Sequence, residues 1–446
     1  MGKIMHVVKR SGAVVDFNPD RITNAIYRAA VAVGGRDRSM AERLSDQVVE
    51  LLEKTIPEGK TPHIEEIQDL VEKVLIENGH ARVAKAYILY RDERARRRQQ
   101  QVEHSASPST NIPWAKIWHV LDWSVDHGVN TIAGLNARIA RGELDDIIAE
   151  SEQFYKEDIG NVVEMIARRR EGLKIVIITG PSSSGKTTTT IKVGEKLKEL
   201  GMNLVTLNVD NYFYDLEFHP KDEFGDYDFE TPQALDLTLI NEHLKRMIAG
   251  KEVLIPHYDF KTGLRSDDHT PMKLKPNDVI LIDSLHGLYS DMTKDIPAGQ
   301  KFKLYLEPLL QMKDDDGNYV RWTDIRLIRR MLRDASHRAY DPRRTLEHWH
   351  YVRTSEMRNI IPYVNTTDYI VNSSMSYEPC IYRARMLESF ARWEQDYKDQ
   401  PLREDAYIRA QRVHQMLRQF NPMNDETRVP GDSVLREFIG GSTYSY

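Results

Sequence analysis

A single cysteine, Cys380, stands in the 446 residues. One thiol makes neither an intrachain disulfide nor a cysteine-rich zinc site, so the fold is expected to rest on packing alone, as suits a reducing cytoplasm. No apolar run is long enough for a membrane-spanning helix. The opening MGKIMHVVKRSG has no apolar core of signal-peptide length. The fifteen histidines show no metal-site spacing such as H-E-x-x-H, and no structural metal is expected. Positive charge is not in excess either. The 62 Lys and Arg against 68 Asp and Glu leave a formal charge of −6, which argues against a general nucleic-acid binder. What remains is an ordinary globular composition, 40% hydrophobic and 29% charged, able to bury real cores. At roughly 150 residues per domain the length suggests two large domains or three smaller ones.

The chain changes character twice. Residues 4 to 17 form two short β-branched runs around Ser11-Gly12, the pattern of a hairpin. NPDRITNAIYRAAVAV follows with Asn18 as cap, Pro19 in the first turn, and Ile22, Ile26, Ala29 and Ala30 at helical spacing. Two more amphipathic helices and a charged one lead to QQQVEHSASPSTN, a polar linker. The first domain is placed at 1–100 and a helical connector at 101–172. From Leu173 onward, β-branched runs alternate with helical stretches: LKIVIITG, NLVTLNVD, NDVILIDS, KFKLYLE and DYIVNSS. This predicts an α/β domain over 173–446, a parallel sheet flanked by helices. Its first strand, a continuous β-branched run, is expected to be buried on both faces.

ITGPSSSGKTTTT carries the clearest chemistry. Gly180, Gly185, Lys186 and Thr187 fit G-x-x-x-x-G-K-[ST], between a strand and a helix. A loop through Ser182, Ser183 and Ser184 without bulky side chains can turn backbone N–H groups toward phosphates. The following helix, beginning at Lys186, Thr187 and Thr188, adds its positive end. This is the expected ATP site, with Lys186 on the β/γ-phosphates and Thr187 on Mg²⁺. Such a loop serves many activities, so the rest of the domain must choose among them. Asp210 ends the next strand, where an acid faces the crevice and can take the proton of an attacking hydroxyl. A strand-end Asp is equally often a cap or turn residue. Asp283, after another apolar strand, stands where a second Mg²⁺-side acid would. In DIRLIRRMLRDASHR, Arg326, Arg329, Arg330 and Arg333 fall on one arc at ~100° per residue, opposite Leu327, Ile328, Met331 and Leu332. A solvated face usually mixes Lys with Glu; four guanidiniums side by side call for an anion, and a transferring phosphoryl is one.

Together GPSSSGKTT, VDNYFYD, YDFETPQALD, IPHYDFKTG, DIRLIRRMLRD and VPGDSVLREFIGG resemble the uridine kinase / phosphoribulokinase family over roughly residues 173 to 440. The resemblance implies ATP-dependent phosphorylation of a hydroxyl under a closing lid. It makes Asp210 the general base and places Glu230 where uridine kinases carry a sugar-contacting Asp. Tyr258 and Asp259 match the substrate-pocket Tyr-Asp-Phe, and Arg330, Arg333 and Arg338 match lid or substrate arginines. It departs from uridine kinases twice: Gly263 stands where a base-reading His would, and Asp283-Ser284 replaces Glu-Gly. A nucleoside acceptor is the leading expectation. A sugar phosphate or phosphoglycerate-type acid is the alternative, and a non-catalytic nucleotide sensor a third.

VVKRSGAVVDFNPDRITNAI and VEKVLIENGHARVAKAYILYRDERAR resemble an ATP-cone, a regulatory nucleotide-binding module. The resemblance implies an adenine-nucleotide effector contacted by Lys9 and Arg10 in the hairpin, by Lys85 and Arg91 on the last helix, and around the base by Asp16, Asn18 and Arg21. It implies coupling to the kinase site of ~1–3 kcal/mol, and a homo-oligomer. No nucleic acid and no membrane enters as partner.

Overall fold

The computed structural model describes residues 4–8, 14–57, 60–89, 111–220, 231–337, 341–400 and 403–445. Contacts divide the chain into two compact units, residues 1–109 with 399–404, and residues 110–398 with 405–446.

The first unit opens with β1 (His6–Val8) paired antiparallel to β2 (Val14–Asp16), with Val7 opposite Val15. The helices α1 (Asp20–Ala32), α2 (Arg38–Thr55) and α3 (Ile64–Glu77) follow, and residues 81–89 are helical as well. Their apolar faces meet in one core, with Ile26, Val48, Leu52 and Leu75 at its centre. The termini are capped as side-chain chemistry dictates. Asp37 accepts from Met40 N at α2, while the Glu66 carboxylate accepts from His63 N at α3. Helix α1 starts later than expected: Pro19 occupies the cap position, and the Asn18 amide oxygen instead accepts from Asp20 N at 2.8 Å. Pro brings no side-chain acceptor, so Asn18 serves the first amide from one residue further back.

The second unit begins with three helices, α4 (Trp114–Asp126), α5 (Ile132–Ala140) and α6 (Leu144–Arg168). They belong to the same core as the sheet; Ile147, Tyr155, Ile159 and Ile166 pack with strand and helix residues beyond 173. The sheet contains β3 (Ile175–Thr179), β4 (Asn203–Leu207), β7 (Asp278–Asp283), β8 (Lys301–Glu307) and β9 (Tyr369–Asn372), all parallel, in the order β4-β7-β3-β8-β9. In β3 the alternation is complete: Val176 and Ile178 face one core, Ile175 and Ile177 the other. This is why Ile175 to Ile178 carry no polar residue. An antiparallel hairpin, β5 (Val253–Asp259) with β6 (Leu264–Met272), joins the second core, and its register shifts between Ile255 and His257. Pro256 lies at the shift, where it lacks the N–H that a regular ladder requires. Alternation over 253–272 does not announce this hairpin, because Pro256 interrupts β5 and β6 (LRSDDHTPM) is largely polar. Helix α7 (Lys186–Glu199) follows β3, and α8 (Leu237–Ile248) precedes the hairpin. Then come α9 (Trp322–His337), α10 (Pro342–Asn359), α11 (Glu378–Tyr397), α12 (Glu404–Leu417) and the short α13 (Arg436–Ile439). Among the described residues no helix is long and apolar enough to cross a membrane.

Candidate active site

The carboxyl ends of β4, β7 and β3 lie side by side, and the loops leaving them form the site. The loop after β3 is built by close approach. A side chain at Gly180 would stand 2.3 Å from Leu306 O, and one at Gly185 2.5 Å from Val434 Cγ2. Gly185 also adopts φ +91°, and Ser183 carries a positive φ of 59°. Ser183 and Ser184 are buried. The loop therefore presents backbone rather than side chains. We expect Gly185→Ala to cost about 1–3 kcal/mol from the backbone conformation alone. With the Val434 collision added, a fall in thermal midpoint of roughly 5 °C or more should follow. An unchanged midpoint in a melting experiment would show that the loop is not held this tightly.

Lys186 is half-buried at the first position of α7, and its ammonium donates to Gly180 O (2.9 Å) and Pro181 O (3.3 Å). Burial pushes its pKa down, and the Asp283 carboxylate works against that push. Thr187 is exposed in the same turn. Asp210 sits in a 3-10 turn (Val209–Tyr212) directly after β4, its N–H bonded to the Asn208 side chain at 3.0 Å. Its side chain is open to water. Desolvation raises its pKa, and the nearby Lys186 ammonium partly offsets the rise. Asp283, at the end of β7 between them, is pushed up to about 6 by burial; Lys186 lowers it, and Glu437 and Asp210 raise it. Thus Asp210, Asp283 and Lys186, far apart in sequence, share one electrostatic cluster. Thr187 and Asp283 offer a hydroxyl and a carboxylate, an all-oxygen pair that suits a hard cation such as Mg²⁺.

The arginine face of α9 differs from expectation. Arg326 and Arg329 do not present guanidiniums to the cleft; both are fully buried. Arg326 makes a bidentate pair with Glu356 at 2.6 and 2.7 Å, and also donates to Ser182 O at 3.0 Å. Arg329 is bidentate to Glu378 at 2.8 and 3.0 Å and donates to Ser373 O at 2.7 Å. The Ser373 hydroxyl in turn donates to Ser184 O. Buried guanidiniums need anions, and here they come from glutamates on α10 and α11 rather than from a phosphoryl group. Arg326 thus holds a carbonyl of the phosphate loop directly, and Arg329 does so through Ser373. Arg330 and Arg333 remain half-buried beside it: Arg330 donates to the Ser182 hydroxyl at 3.3 Å, and both lie within ion-pair range of Asp334. The Arg333 charge is felt at Lys186.

Tyr258 is buried in an aromatic group with Phe213 and Phe260, ring centroids 5.4 and 5.0 Å away, and its hydroxyl has no partner among the described residues. Asp259 spends its carboxylate on the hairpin turn, accepting from Lys261 N at 2.8 Å. Gly263 has φ +71°, and a side chain there would meet Leu216 Cβ at 2.8 Å. In the first unit, Asn18, Arg21 and Lys85 are exposed. Lys9, Arg10, Arg91, Glu230 and Arg338 lie outside the described residues.

Two residues of this region were not singled out from the sequence. Glu437 is buried, and its carboxylate accepts from Thr188 N (3.3 Å) and Thr188 Oγ1 (3.0 Å). Its stretch, VPGDSVLREFIGG, is distinguished in the sequence by family likeness alone. His286, three residues past Asp283, is buried with neither ring nitrogen bonded among the described residues. Burial, with Lys186 nearby, brings its pKa down to about 4. Nothing in local sequence distinguishes it from a packed histidine.

Residues 175–377 match the phosphoribulokinase / uridine kinase family model, and residues 5–96 the ATP cone domain model. A protein named uridine kinase from Borrelia turicatae is 30% identical over 224 residues, covering 49% of this chain and 95% of that protein. One of the same name from Bacillus pumilus is 31% identical over 164 residues, 37% of this chain and 69% of its own length. A third, from Deinococcus deserti, is 27% identical over 208 residues, 46% of this chain and 91% of that protein.

Proposed function

Because this chain belongs to the phosphoribulokinase / uridine kinase family and carries an ATP cone domain, we propose that it transfers the γ-phosphoryl group of ATP to a hydroxyl of a nucleoside, under control of an adenine nucleotide at the cone. The observation that carries this reading is the cluster at the ends of β4, β7 and β3, where the Asp210 carboxylate lies within electrostatic reach of Lys186. In it backbone N–H groups of the loop after Pro181 and of the first turn of α7 hold the phosphates, and Lys186 leaves its own loop carbonyls for the β/γ-phosphates. Asp210 orients the acceptor hydroxyl and takes its proton as the O–P bond forms. Arg330 and Arg333 meet the charge that develops on the phosphoryl oxygens. Thr187 and Asp283 would hold Mg²⁺, which when bound neutralises phosphate charge. Tyr258 offers its buried hydroxyl to the acceptor, with Glu230, Asp259 and Arg338 as further substrate contacts. Lys9, Arg10, Asn18, Arg21, Lys85 and Arg91 are the proposed effector contacts.

A second reading has one observation in its favour. The turn at Gly263 packs against Leu216 where uridine kinases carry their base-reading His, so nothing at that position recognises a pyrimidine. An anionic acceptor such as a sugar phosphate or phosphoglycerate would not need that contact. The deciding experiment follows ADP release with uridine, cytidine, inosine, ribose 5-phosphate and 2-phosphoglycerate, each with and without dATP. We expect a nucleoside to give the highest kcat/KM and dATP to change it. Preference for a phosphorylated acceptor selects the second reading. No turnover with any acceptor, with ATP still bound, would leave a nucleotide sensor.

A further inference from the structure

The first-turn N–H groups of α7 are unmet within the helix, and in a phosphate loop they face the nucleotide. In this structure one of them is already taken. Glu437, carried on α13 near the C-terminus, places a carboxylate oxygen 3.3 Å from Thr188 N and 3.0 Å from Thr188 Oγ1. Thr188 is fully buried under this contact, and Val434 of the same segment lies against Gly185. The segment is firmly anchored. Asp432 pairs with Lys192 at 2.7 Å, and the Arg436 guanidinium donates to the carbonyls of Glu426, Val429, Pro430 and Gly440. Phe438 packs beneath the Arg329 guanidinium, 5.0 Å from ring centroid to Cζ. The backbone of this segment therefore stays in place, and the Glu437 side chain is the part able to move.

A carboxylate and a phosphate compete for the same donors, and they repel one another when both are near. The Glu437 charge also reaches Lys186 and Asp283, which places it within the cluster that would surround the phosphates. We propose that Glu437 is an affinity-setting residue of the nucleotide site: its carboxylate occupies the Thr188 donors, and the proximal phosphate of a bound nucleotide must displace it. The inference rests on the loop binding a nucleotide by its phosphates. The protein thereby holds a built-in competitor that keeps its affinity for phosphorylated nucleosides below what the loop alone would give.

The test is calorimetric titration of the full chain with ATP, ADP, AMP and adenosine, before and after Glu437→Gln. Glutamine keeps an acceptor for Thr188 and removes the charge. The loop's binding event is identified as the one that Lys186→Ala weakens. We expect Glu437→Gln to tighten ATP, ADP and AMP by roughly fivefold, the scale of one charge at a helix N-terminus, and to leave adenosine unchanged. Phosphorylated ligands that bind no tighter would overturn the proposal, and so would an equal gain for adenosine, which would place the effect in the base pocket. If the Gln variant does not fold, Glu437→Asp draws the charge back by one methylene and should give the same ranking with a smaller gain. A wild-type chain with no binding event sensitive to Lys186 would instead overturn the reading of the loop itself.

Discussion

Asp210→Asn is expected to lower kcat by roughly 10²–10⁴-fold, the usual contribution of a positioned general base, while the KM for ATP stays near that of the wild type. Asparagine matches the shape of the carboxylate and can still accept a hydrogen bond from the acceptor hydroxyl, but it cannot take the proton. ATP binding should survive because the loop amides and Lys186 are untouched. The wild-type pH profile adds a second signature. A base acts only when deprotonated, so activity falls as pH drops through its pKa. Burial raises the pKa of Asp210, and Asp283 is pushed up to about 6. The acid limb should therefore lie above the ordinary carboxylate range, with a midpoint that belongs to the coupled cluster. Steady-state kinetics on the acceptor found above decides the matter. An Asn variant within a few-fold of wild-type kcat would move the base elsewhere.

Arg329→Met is expected to destabilise the second unit by about 3–5 kcal/mol, the cost of stranding one partner of a buried ion pair. Glu378 is fully buried and would keep only Met375 N and the Tyr382 hydroxyl as donors, at 2.9 and 2.7 Å. In a unit of this size the thermal midpoint should drop by roughly 10 °C. Adding Glu378→Leu removes the stranded charge and should recover much of the loss, since apolar replacement of a whole buried pair is often neutral. A double-mutant cycle by denaturant unfolding measures the coupling. A single-variant loss below about 1 kcal/mol would mean that water reaches the pair. Because Arg329 also steadies Ser373, which bonds Ser184 O, the single variant should weaken ATP binding as well.

These arginines mark where sequence reasoning stops. At helical spacing, four guanidiniums on one face were legible in α9, as was their need for anions. Their partners were not. Glu356 lies 30 residues from Arg326, and Glu378 lies 49 from Arg329, each on a helix whose own pattern gives no sign of a buried charge. Glu437 reaches Thr188 across 249 residues. The phosphate loop was legible for the opposite reason: its glycines, lysine and threonine are neighbours, and the surrounding strand and helix declare themselves by period.

The amino-acid sequence by itself determined the loop over residues 180–187, the double-sided burial of its strand, the parallel sheet of the domain and the amphipathic helices that precede it. Each of these follows from interactions between residues close along the chain or from repeating apolar spacing. Tertiary structure alone decided which carboxylates stand near Lys186, which arginines turn inward, and that a C-terminal glutamate holds a donor of the loop helix. Charge pairing and burial depend on distance in space, and only the packed sheet and helices set those distances.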